Sequence, residues 1–302
     1  MCGIMGYYSF GRTMPNKNKI EKMFVLLESR GRDASGFAYI NNQNKLVVSK
    51  AAVKSSDFVK EADWKSLVLP KIMILHTRAK TQGEPTNNMN NHPLFTKDGL
   101  CIVHNGMIFN DKEIFGKKEK RDAEVDSEAI LAVLAGKGKK TNESVEDKIK
   151  HVFDRLEGGF AVASININEP SELVLFRKDN PIELYYDSSE DILYFCSERR
   201  IMQEALGISK SSKRGFNLGE NSYHHYELEN NHALIINTDG VETYKKYFPK
   251  RESWHYRNNY SLDDYDFVEC PYCYSVTEYD EGKLFNRCSY CGQVLNEEDI
   301  YV

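Results

Sequence analysis

Apolar and polar positions along the chain fall into blocks with two different periods. Residues 3–9 form a short, almost wholly apolar run, the pattern of a buried strand. Across 16–29, Ile20, Met23, Phe24 and Leu27 recur at helical spacing, so an amphipathic helix is predicted there. Residues 37–40 and 45–49 are two β-prone stretches joined by the polar turn 41–44, which predicts a hairpin. The apolar run 72–77 predicts another buried strand, and 100–104 a further one that ends at Asn105-Gly106. A helix is predicted from 126 to 134 with Asp126 or Ser127 as its N-cap, and another over 143–156. β-rich runs cover 160–167, 173–177, 182–186 and 192–197. A helix at 198–206 and three closing strands at 223–228, 233–237 and 241–247 follow. Strands and helices arrive in blocks rather than in strict alternation, which predicts α+β layers over a doubly wound parallel sheet. Cys101 and Cys196 fall in apolar strands and are expected in the core. The loop 78–94, rich in Asn, Gly and Pro, is long for a compact domain, and loops of that length are usually functional.

Composition narrows the class. With 302 residues, 41% hydrophobic and 28% charged, the chain reads as a soluble globular protein of one large domain, or one plus a small module. There is no run of about 18 apolar residues to span a membrane and no basic segment followed by an apolar one to act as a secretory signal. A reducing cytoplasm is the expected compartment. Residues 261–302 hold ten acidic side chains against two basic ones, a formal −8, which leaves +3 for residues 1–260 of the whole-chain −5. Neither part has the basic excess of a general nucleic-acid binder. The Lys-rich stretches 116–121 and 136–140 are solvated loops on this reading.

Four of the seven cysteines stand as two Cys-x-x-Cys pairs, Cys270/Cys273 and Cys288/Cys291. That spacing is nearly the spacing of a zinc ribbon, and four thiolates would close a tetrahedral, structural Zn²⁺ site. The expected organisation is a main domain over 2–247, a linker over 248–265 rich in Arg, Asn and Tyr, and a zinc-ribbon-like module over 266–302. Because the module is acidic, protein docking is favoured over nucleic-acid binding, with Tyr272, Tyr274 and Tyr290 as contact candidates.

The chemistry begins at the N-terminus, Met1-Cys2-Gly3. A methionine before a small residue is normally trimmed, which would leave Cys2 with a thiol and a free α-amino group on one residue. The amine titrates near ~8 and the thiol near ~8.5, so one can take the other's proton. Such a residue can be a nucleophile that supplies its own base.

Five segments in order resemble the glutaminase domain of class II, N-terminal-nucleophile (Ntn) glutamine amidotransferases. They are Cys2-Gly3-Ile4, Arg30-Gly31-x-Asp33-x-x-Gly36, His76-Thr77-Arg78-x-x-Thr81-x-Gly83, Asn91-His92-Pro93, and His104-Asn105-Gly106 followed by Asp126-Ser127-Glu128. Each piece is weak alone; their joint order and spacing make the resemblance specific, and it spans roughly the first 200 residues. The resemblance implies a four-layer αββα Ntn sandwich that hydrolyses L-glutamine through a thioester and hands ammonia to an acceptor, with no cofactor for that step. It implies Cys2 as nucleophile, with the Asn105 side chain and the Gly106 N–H as oxyanion donors. Arg78 would bind the substrate carboxylate and Asp126 its ammonium, while Thr81 and Gly83 shape the pocket and His92 holds the loop. Ala79, Gln82 and Arg32 depart from the glucosamine-synthase branch, so branch and acceptor stay open. A synthase partner on a separate polypeptide is expected. The alternatives are an Ntn hydrolase of another amide, or a catalytically silent Ntn-fold scaffold.

Overall fold

The computed structural model describes residues 1–11, 13–115, 121–136, 143–208, 222–248, 266–269, 276–279, 286–287 and 294–295. The chain divides into two units, Met1–Arg251 and Glu252–Val302.

The first unit is built on two antiparallel sheets. The first sheet combines β1 (Gly3–Ser9), β2 (Ala34–Ile40), β3 (Leu46–Ala51), β4 (Ile72–Arg78), β9 (Glu183–Asp187), β10 (Ile192–Cys196) and β11 (Tyr223–Glu227). Their order is β11-β9-β10-β1-β4-β2-β3, which puts β1 at the centre. The second sheet has the order β13-β12-β8-β7-β6-β5. Its strands are β5 (Leu94–Phe95), β6 (Leu100–Ile108), β7 (Gly158–Asn166), β8 (Glu169–Lys178), β12 (His232–Asn237) and β13 (Gly240–Lys246).

Helices cover the outer faces. On the first sheet, α1 (Lys17–Leu26) and α7 (Arg199–Leu206) pack over Met5, Tyr7, Phe37 and Tyr194, joined by Trp64 from one of two short helices, α2 (Ser55–Phe58) and α3 (Ala62–Ser66). On the second, after the single-turn α4 (Asp111–Ile114), α5 (Ser127–Leu134) and α6 (Val145–Arg155) pack over Ile102, Phe160 and Phe176. Between the sheets lies a third apolar layer that includes Ile4, Ile74, Val103, Ala161 and Phe195. The four-layer αββα sandwich expected from the sequence is therefore present. Adjacent residues Ile4 and Met5 belong to different core layers because side chains alternate across a strand. A strand buried on both faces has no polar side to show, which is why β1 reads as one continuous apolar run.

Three details differ from the sequence reading. Asn105-Gly106 does not end a strand but lies inside β6, paired with Ala161 and Phe160. Gly106 adopts φ +153°, and a Cβ there would come within 2.1 Å of the Gly159 carbonyl oxygen, so the glycine lets β7 cross rather than turning the chain. Asp126 is the N-cap of α5, yet its own backbone is already helical and its carboxylate makes no cap bond. Helices α2, α3 and α4 are too short for a periodic signal and escaped prediction. The predicted helix over 16–29 is found as α1 plus a 3₁₀ turn at Leu27–Ser29, with Ile20, Met23, Phe24 and Leu27 all fully buried. Cys101 and Cys196 are likewise fully buried.

In the second unit the described residues form two short antiparallel pairs. One joins β14 (Asp266–Glu269) to β15 (Val276–Tyr279), the other β16 (Asn286–Arg287) to β17 (Val294–Leu295). Cys270, Cys273, Cys288 and Cys291, and with them Tyr272, Tyr274 and Tyr290, lie outside the described residues. Among the described residues no group of His, Cys, Asp and Glu is arranged to hold a metal ion. No described helix is long and apolar enough to cross a membrane.

Candidate active site

The ends of three strands meet around Cys2. Gly3 of β1 pairs with Thr77 of β4, so Cys2 stands beside Arg78 and Ala79 at the edge of the first sheet. The thiol is half-buried and donates to the Ala79 carbonyl at 3.5 Å. Across the sandwich, His76 Nε2 donates to the His104 carbonyl at 3.0 Å, which ties β4 to β6 one residue before Asn105. Asp126 at the head of α5 accepts from the Ile108 N–H at 2.7 Å. Cys2, Arg78 and Asp126 are thus within electrostatic reach of one another, and Asn105 and Gly106 lie on β6 between the His104 and Ile108 contacts, at the same end of the first unit.

Burial pushes the Cys2 thiol above its usual range; the positive N-terminus and Arg78 act against that, and Asp126 adds to it. A thiol shifted this way stays protonated at neutral pH and needs a base to react. Met1, 80% exposed, precedes it in this chain.

Arg30, a motif residue with no role assigned from sequence, holds the backbone of Cys2. Its Nε donates to the Cys2 carbonyl at 2.9 Å, and its guanidinium pairs with Glu198 at 2.6 Å. The rest of that motif is explained by close approach. A Cβ on Gly31 would fall 2.3 Å from the Arg78 backbone, and one on Gly36 would fall 2.5 Å from the His92 carbonyl oxygen. Asp33 accepts from the Lys80 N–H at 2.6 Å and donates its own N–H to the Arg78 carbonyl at 2.9 Å. The segment thereby fastens the end of β4 on which Cys2 rests.

Arg78, only 2% exposed, organises the loop 79–93. Its guanidinium donates to Asn91 Oδ1 at 2.7 Å, to the Gly83 carbonyl at 2.7 Å and to the Gln82 carbonyl. A guanidinium has five N–H donors, so these bonds leave capacity for a further acceptor. Gly83 takes φ +67° with Asn90 packed where a Cβ would be, and Thr81 is exposed on the same loop. Asn90 and Asn91, both fully buried, carry hydrogen bonds to Glu84, Glu124 and Pro85. Buried asparagines in a polar loop leave no periodic mark, and only Asn91 could be found, through its motif.

Beneath the loop three imidazoles are buried together. His92 stacks on His76 with ring centres 4.2 Å apart and stands 6.5 Å from His104. His104 Nδ1 bonds Ser127 Oγ at 2.7 Å. Burial lowers the pKa of all three, that of His76 to about 3. Lys50 of β3 closes the group from the side, donating to the Asn91 and Pro93 carbonyls at 2.7 and 3.0 Å, and burial lowers it to about 8. Asn105 is 1% exposed, and neither its side-chain nitrogen nor its oxygen has a protein partner. Burying an amide unpaired costs about 1–3 kcal/mol, a price that makes sense where a ligand will bond it.

Residues 76–204 match the model of a glutamine amidotransferase domain. The glutamine–fructose-6-phosphate aminotransferase of Francisella tularensis is 32% identical over 199 residues, 64% of this chain and 31% of that protein. The enzyme of that name from Aquifex aeolicus is also 32% identical, over 64% of this chain and 32% of its own length. The chain thus spans about a third of the length of these relatives. Among solved structures, glutamine phosphoribosylpyrophosphate amidotransferase from B. subtilis superposes with a TM-score of 0.62 at 19% identity, covering 82% of this chain and 50% of that one. A structure described as the allosteric regulatory enzyme of purine biosynthesis gives 0.61 at 20% identity, over 82% and 50% of the two chains. The first unit therefore has the Ntn-hydrolase-type α+β fold of two antiparallel sheets. Residues 76–204 of that unit carry the match to a glutamine amidotransferase domain, an enzyme's domain, and the similarity to the aminotransferases extends over 199 residues.

Proposed function

We propose that this protein hydrolyses the side-chain amide of L-glutamine to glutamate and ammonia, with Cys2 Sγ as nucleophile once Met1 is removed. The single observation that carries the proposal is the unpartnered, buried Asn105 amide, gathered with a half-buried thiol whose acidity Arg78 and Asp126 both influence. The freed α-amino group of Cys2 takes the thiol proton as sulfur bonds the amide carbon. The Asn105 Nδ2–H and the Gly106 N–H donate to the oxyanion. The same amine returns the proton to the departing nitrogen, leaving a thioester that water then cleaves. Arg78 takes the α-carboxylate through its remaining donors, and Asp126 pairs with the α-ammonium. Thr81 and Gly83 contribute the loop wall, and His92 supports the loop from below.

In this reading ammonia passes to a synthase partner, a role that the similarity to glutamine–fructose-6-phosphate aminotransferases supports. Cys270, Cys273, Cys288 and Cys291 hold a structural Zn²⁺ that folds the terminal module; a set of four thiolates suits that ion, which plays no part in the amide chemistry. Metal analysis should give one zinc per chain, lost in Cys270→Ser.

Incubating the purified, Met1-free protein with glutamine should yield glutamate, alone or with a partner synthase. An amide lacking the α-carboxylate should be a poor substrate. No glutamate under either condition would sink the proposal.

A further inference from the structure

At the end of β1 remote from Cys2 the two sheets part, and an open cavity of about 750 Å³ lies between β9–β11 and β12–β13. Its floor is four buried leucines, Leu184, Leu193, Leu228 and Leu234. Tyr226, Val241 and Tyr244, each about half exposed, form the rim, with the rings of Phe10 and Tyr186 on the wall. Four carboxylates, Asp191, Glu227, Glu229 and Asp239, line the opening, and among the described residues no lysine or arginine does. Two of them are answered from outside the lining: Glu227 pairs with the buried Arg177 at 3.0 Å, and Glu229 stands 3.7 Å from His232. Among the described residues Asp191 accepts from the Tyr186 hydroxyl at 2.8 Å, and neither it nor Asp239 forms an ion pair.

We propose that this cavity is a binding site for a small organic cation with an aromatic or branched apolar body. An apolar body on the leucine floor leaves water at roughly 25 cal/mol per Å². A protonated amine at the mouth meets Asp191 and Asp239 and the faces of the tyrosine rings, which attract cations. An anion would meet four carboxylates. A neutral ligand of the same shape would strip water from Asp191 and return no charge. The volume falls within the about 300–1,000 Å³ usual for small-molecule sites. With about 3.3 Å per strand residue, the site stands some 20–25 Å from Cys2 along β1, so it is independent of the glutamine reading.

The test is a titration of the full chain, followed by amide NMR shifts, with tryptamine, tryptophol and indoleacetate, which share a body and differ in charge. Tryptamine should bind saturably with shifts centred on β9, β10, β12 and β13, and at least about tenfold tighter than tryptophol, with indoleacetate not binding. Raising the salt should weaken tryptamine alone. The double variant Asp191→Asn/Asp239→Asn should lose most of the preference for tryptamine over tryptophol while keeping glutaminase activity. Equal affinities for the three probes, tryptamine shifts elsewhere on the chain, or no saturable binding would each overturn the proposal; the wild-type comparison decides even if the variant fails to fold.

Discussion

At the Cys2 end of β1, polar groups are buried deep and held by the backbone: Arg78 by loop carbonyls, Asp126 by the Ile108 N–H, His76 by the His104 carbonyl. At the Phe10 end the arrangement is inverted, with leucines at the bottom of an open cavity and carboxylates and tyrosines at its mouth. Both ends are continuous with the same apolar layer, yet one end has spent packing on fixing charges and the other leaves apolar surface accessible. The contrast shows that the sandwich itself is indifferent to chemistry. Function follows from which strand end receives glycines and loop carbonyls, and which receives rings.

The sharpest way to break this contrast is at Cys2. Cys2→Ala should lower glutaminase turnover by at least about a thousandfold without changing the thermal unfolding midpoint, since the thiol makes only one hydrogen bond. Asn105→Ala should lower kcat by about 100–1,000-fold with a smaller effect on KM, the pattern of a donor used in the transition state. Steady-state kinetics on the two variants would check both; an Asn105→Ala enzyme with wild-type kcat would remove the oxyanion assignment.

Backbone changes come next. Gly106→Ala, with its Cβ against the Gly159 carbonyl, should cost about 3 kcal/mol or more in urea unfolding. Gly136→Ala at φ +79° meets nothing within 4 Å and should cost only about 1 kcal/mol.

Acid should then single out the Cys2 end. The folded-state pKa values of His76, His92 and His104 lie below the unfolded value, so the unfolded chain binds more protons as pH falls. Stability is accordingly lost below about pH 6.5, by up to about 1.4 kcal/mol per pH unit for each imidazole. Urea midpoints measured at about pH 7 and about pH 5 should differ, and His92→Phe should shrink the gap. The smallest expected effect is at the other end: Asp239→Asn should leave glutaminase kinetics unchanged, and any loss of turnover would show that the two ends communicate.

Much of the fold was readable in the sequence, because strands with two buried faces and helices with one keep distinct periods. The strands of the first unit fell within a few residues of prediction, apart from the two-residue β5 and the continuation of β6 through Asn105-Gly106 to Ile108. What escaped had a physical reason. Helices of four or five residues show no period, and Asn-Gly carries a turn signature that a crossing strand overrode at Gly106. The site was legible only as motifs. Chain order placed Arg30 near the Cys2–Arg78 group, but nothing in residue type foretold that its guanidinium would take the Cys2 carbonyl. The stacking of His92 on His76 and the grip of Lys50 on two loop carbonyls are likewise products of the sheet register, which joins Gly36 to both His76 and Lys50.

Arg30 grips the carbonyl oxygen of Cys2 itself at 2.9 Å and reaches the residue before it only through the Met1 thioether at 3.8 Å. An aminopeptidase could therefore clip the exposed leading methionine from the finished fold, forfeiting little beyond a loose guanidinium–thioether contact. Maturation would then unmask a base at a sulfur already anchored, and the enzyme would switch on without rearranging a strand.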